Sequence, residues 1–67
     1  MPPIWWRGKV LKKIREKRGL TQAVLADKVG VDRVTIARIE SGARNPSMDL
    51  LQRLAKVLKV KVGDLLE

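Results

Sequence analysis

The chain has 67 residues and neither cysteine nor histidine. That length allows one small domain resting on apolar packing. The missing residue types exclude disulfides, thiolate or histidine metal sites and any histidine-based catalytic triad. Lys plus Arg is 15 against 7 Asp plus Glu, a formal charge of +8, with a pI of about 10.7. A balance this basic points to nucleic acid, because cations that neutralise phosphates release counterions. Bare solubility and an acidic membrane surface are the competing readings. No apolar run approaches the ~20 residues of a membrane span. The opening MPPIWWRGKV lacks the apolar core and small-residue cleavage site of a signal peptide. The expected location is the cytoplasm, at the nucleoid.

In chain order the pattern predicts five short helices and no strand. Residues 1–6 begin with a Pro pair and read as an extended N-terminal segment, with one domain over 7–67. Helix one spans about Arg7 to Lys17, with Val10, Leu11 and Ile14 on one face. Gly19 offers a left-handed stop and Thr21 an N-cap. Helix two covers about 22–29 with Leu25, Ala26 and Val29 inward, and Gly30 ends it. Asp32 caps helix three, about 33–41, which closes at Gly42. ARNPS is a loop, and Ser47 caps helix four, whose apolar face is Leu50, Leu51, Leu54, Ala55 and Leu58. Val60 and Val62 lead to a short last helix over GDLLE, with Leu65 and Leu66 docking back on the core. Trp5 and Trp6 have three possible homes: the core, a dimer or partner surface, or a DNA-inserting arm.

The second and third helices make a unit with a mechanism. A turn this short forces a steep crossing. Ala26 is small where the next helix passes, Gly30 accepts positive φ, and Ile36 and Ile39 hold the pair on the body. That is a helix-turn-helix, whose second helix enters the DNA major groove. At about 100° per residue, Arg33, Ala37, Val34 and Arg38 fall within one arc of about 140°, opposite Ile36 and Ile39. Arg33 and Arg38 suit guanine O6 and N7, and Val34 suits a thymine methyl. Gln22 opens helix two, where a helix N-terminus meets phosphate. Thr35, Arg44 and Asn45 flank the same face as further phosphate contacts.

The ordered markers LTQ, LA, G-V-D, TIARIESG, NPS and the closing LL resemble the lambda-repressor/Cro-type family of helix-turn-helix DNA-binding domains, over about residues 10 to 67. The resemblance implies a compact all-α bundle of five short helices and places the base-reading positions on Arg33, Val34 and Arg38. It also implies that Gln22 braces the start of the recognition helix and that Arg15 and Glu40 form a structural salt bridge between helices one and three. The family often begins helix three with Ser or Thr. Asp32 stands there instead, and either orients Arg33 or accepts from a cytosine amino group.

The expected function is sequence-specific binding of double-stranded DNA by a small Cro-like repressor, as a homodimer on a pseudo-palindromic operator. An antitoxin or restriction–modification controller autoregulator would look the same. A protein-interaction module with this fold is the alternative of a different class. No cofactor, metal or small-molecule ligand is expected. An enzyme is disfavoured because there is no His or Cys, there are only two Ser (Ser41 and Ser47), and no paired carboxylates share a face. A membrane-bound amphipathic helix is disfavoured because the apolar faces already fit a closed bundle.

Overall fold

The structure, a computed structural model, describes residues 6–66, with five helices among them: α1 Gly8–Lys17, α2 Gln22–Val29, α3 Arg33–Ser41, α4 Met48–Leu58 and α5 Val62–Leu65. Each helix starts where the local chemistry places it. Thr21, Asp32 and Ser47 accept from the backbone N–H groups of Val24, Thr35 and Leu50 at 3.1, 2.8 and 3.1 Å. These bonds satisfy donors that a helix start leaves orphaned. Asp64 reaches back from α5 to the Lys61 N–H at 3.0 Å. That bond starts α5 at Val62, one residue before the GDLLE reading.

Gly30 has φ of 81°, and the Ala26 carbonyl accepts from the N–H groups of both Gly30 and Val31 at 2.9 and 3.0 Å. Gly30, Val31 and Asp32 make the whole connection from α2 to α3. A left-handed residue is what lets so short a link reverse the chain, and glycine adopts it without a Cβ clash.

The fully buried side chains come from every helix: Leu11 from α1, Leu25 from α2, Ile36 and Ile39 from α3, Leu51, Leu54 and Leu58 from α4, Leu65 from α5. α3 packs against α1 and α2, and α4 packs against α2 and α5. The third helix is thereby held along its inner side while its outer side stays free. Trp6 joins this core at 5% exposure, so the indole belongs to the body of the domain. Trp5 lies outside the described residues. Gly8 is buried at the start of α1, where a Cβ would overlap the carbonyl oxygens of Ile39 and Glu40. The first and third helices touch backbone to backbone there.

Candidate nucleic-acid interface

α3 divides cleanly. Ile36, Ile39 and Glu40 are buried, whereas Arg33, Val34 and Arg38 are exposed, and Ala37 and Thr35 are half-buried. Val34 keeps 47% of its surface, one of few large apolar side chains to do so among the described residues. Two guanidinium groups and a branched apolar side chain therefore share one open face, with the small Ala37 between them. Such a face can donate pairs of hydrogen bonds to base edges and pack a methyl group.

A buried polar network lies beneath that face. Arg15 Nε and Nη2 donate to Glu40 Oε2 and Oε1 at 2.6 and 3.1 Å, and Arg15 Nη1 donates to the Leu20 carbonyl at 2.7 Å. The side chains of Arg15 and Glu40 are 9% and 3% exposed. Burial of a charge is tolerable only with partners of this quality. The hydrogen bond to Glu40 holds the Arg15 guanidinium above its ordinary value, so it stays charged. Gln22 Nε2 donates to Glu40 Oε1 at 3.0 Å, and Gln22 Oε1 accepts from Arg33 Nη1 at 3.5 Å. Carboxylate oxygens cannot donate, so Glu40 dictates which end of the Gln22 amide faces in. Its oxygen is left toward Arg33. Gln22 touches the start of α3, and its shorter bond goes to the far end of the same helix.

The remaining predicted residues stand around this face in different states. Thr35 is taken up by Asp32, whose carboxyl is held below its ordinary value by hydrogen bonds from the Thr35 side chain and backbone. Arg44 and Arg38 lower it further through their charge. Asp32 is thus the capping residue expected at the start of α3, and it lies within reach of the charges of Arg44 and Arg38. Arg44 is exposed, and its backbone N–H is fixed by a 3.2 Å bond to the Arg38 carbonyl. Asn45 is half-buried, with Oδ1 enclosed and without a hydrogen-bond partner. Ala26, Ile36 and Ile39 are buried in the core, whereas Gly30 is exposed with open space about it and serves the helix pair through its positive φ, not through packing.

Two features escape sequence reasoning. Trp6 Nε1 donates to the Ile39 carbonyl at 2.9 Å across 33 positions, and Gly8 seats α1 against the same stretch of backbone. Tryptophan in a segment opened by prolines carries no periodic signal, and a glycine at a helix start reads as a mere boundary. Among the described residues no group of His, Cys, Asp and Glu could hold a metal ion, and no helix is long and apolar enough to cross a membrane.

Comparison with known proteins agrees with this geometry. The helix-turn-helix family model HTH_3 matches residues 11–65. An uncharacterized HTH-type transcriptional regulator of Archaeoglobus fulgidus is 44% identical over 55 residues, 82% of this chain and 79% of that protein. Among solved structures, the P22 c2 repressor in complex with a synthetic operator is 31% identical with a TM-score of 0.86, covering 92% of this chain and 94% of that one. The restriction–modification controller protein C.AhdI from Aeromonas hydrophila is 34% identical with a TM-score of 0.83, covering 87% and 88%.

Proposed function

This chain belongs to the helix-turn-helix family, and from that premise we propose that it is a transcriptional regulator that reads double-stranded DNA through the major groove with α3. Arg33, Val34 and Arg38 meet base edges. Gln22, Thr35, Arg44 and Asn45 lie along the phosphate backbone, and binding takes place where the cell keeps its DNA. The observation that carries this is the division of α3: a fully packed inner face, ends fixed by neighbouring elements, and an open outer face bearing two arginines and Val34. The fold shared with an operator-bound repressor supports it. A homodimer on a pseudo-palindrome, with half-sites about 34–36 Å apart, is the arrangement that a single recognition helix per chain needs for a site of useful length.

Selection of binding sites from a random duplex pool tests the proposal, run on wild type and on Arg33→Ala/Arg38→Ala. The expected result is a two-fold symmetric consensus whose preference collapses in the double variant. A consensus that survives would move the readout off α3. No enrichment at moderate salt would leave only phosphate binding and overturn sequence reading altogether. The likeness to C.AhdI favours one specific version, a restriction–modification controller; if that controller is an autoregulator, the selected site should lie upstream of the chain's own gene.

A further inference from the structure

The two ends of α3 are held in different ways. Its start is capped locally by Asp32, the residue just before it. Its end is gripped by distant parts of the chain. Trp6 Nε1 bonds the Ile39 carbonyl at 2.9 Å, and Gly8 lies where any Cβ would overlap the Ile39 and Glu40 carbonyls. Arg15 and Gln22 bond the Glu40 carboxylate. Ile39 directly follows Arg38, and the run from Arg33 to Ile39 is a rigid rod of about 9 Å. A shift imposed at the gripped end is carried to every exposed side chain of the helix. Recognition geometry tolerates only about half an ångström of slack before contacts are lost. The HTH_3 match begins at residue 11, so Trp6 and Gly8 stand outside the shared motif.

We propose that Trp6, seated beside Gly8, is a positioning residue for DNA recognition. The indole sets where the end of α3 sits and hence the depth and tilt at which Arg33, Val34 and Arg38 enter the groove. The inference rests on the DNA reading proposed above. Trp6 acts through Ile39 and touches no base itself.

Three variants separate positioning from simple core packing. Trp6→Phe keeps an aromatic ring, smaller than the indole, and removes the donor. Gly8→Ala drives a Cβ against the Ile39 and Glu40 carbonyls and so displaces the end of α3 while the Trp6 donor is kept. Leu65→Val trims the core on α5, which packs on α4. For each protein, affinity is measured for the duplex selected by wild type and for an unrelated duplex of equal length. Both are taken at one salt concentration and at a temperature where thermal melting shows the variant folded. Trp6→Phe and Gly8→Ala should lower the ratio of selected to unrelated affinity by about fivefold or more, the factor that one well-placed hydrogen bond commands. Leu65→Val should lower the melting temperature and leave that ratio within about twofold, since it acts on stability and not on α3. An unchanged ratio in Trp6→Phe, whatever its melting temperature, overturns the inference and leaves Trp6 a packing residue. If Trp6→Phe does not fold, the ratio for Gly8→Ala decides in the same way. A wild type that selects no duplex defeats the DNA reading itself, and this inference with it.

Discussion

Asp32 shows how much one side chain at a helix start can settle. Its carboxylate accepts from the Thr35 N–H at 2.8 Å and lies close enough to Arg44 and Arg38 to feel their charge. The folded state therefore holds this group below its ordinary value, with the Thr35 hydrogen bonds as the main cause. The unfolded chain binds a proton there first as pH falls. The contribution is fully present above the ordinary aspartate value of about 3.9 and is lost as pH drops through the lower folded value. Asp32→Asn keeps an equally good cap and removes the titration. Thermal midpoints followed from pH 7 to pH 2 should fall more steeply in wild type than in Asp32→Asn, with the two similar near neutrality. Parallel curves would mean that the carboxylate gains nothing from its neighbours. The same substitution removes an anion that feels the charges of Arg44 and Arg38 near the face proposed to meet DNA, so it should also strengthen binding to any duplex.

At the scale of elements, α1, α2 and α3 are joined by one buried carboxylate. Glu40 receives Arg15 from α1 and Gln22 from the start of α2. Removing one partner of such a pair leaves a charge in the interior. Glu40→Ala should cost about 3–5 kcal/mol in urea unfolding, whereas Arg15→Met/Glu40→Leu should cost far less than that. If the double variant is as damaged as the single one, the pair is a source of net stability and not only a register device. The existence of this pair follows from the family resemblance, because Arg15 and Glu40 occupy matching motif positions. The Leu20 carbonyl as a third acceptor and the Gln22 amide as a second donor do not, since both depend on how the helices cross. Helix starts are legible because Thr21, Asp32 and Ser47 are chemically committed to capping. The end of α4 is not: Lys59, with φ of 59°, takes the left-handed position where a glycine would have marked the stop. The exposed arc of α3 can be read from period alone, since Ile36 and Ile39 fix the buried side. Trp6 and Gly8 cannot be read this way, because their contacts with Ile39 and Glu40 join distant parts of the chain and follow no period.

At the scale of the whole molecule, a formal charge of +8 on 67 residues attracts any polyanion, and selectivity has to come from elsewhere. The proposed contacts divide the two jobs. Arg33 and Arg38 project from a helix locked on its inner side, whereas Arg44 projects from the loop after it. The two kinds of arginine should therefore fail differently. Arg44→Ala should weaken binding to selected and unrelated duplexes alike and reduce the steepness of log affinity against log salt by about 1. Arg33→Ala should cost about 1–3 kcal/mol on the selected duplex, relax the preference at one base position and leave binding to unrelated duplexes nearly intact. Titrations at several salt concentrations, with both duplexes and both variants, give slope and preference from the same data. If Arg33→Ala changed only the slope, the open face of α3 would be a phosphate clamp, and the base-reading role would pass to another part of the surface.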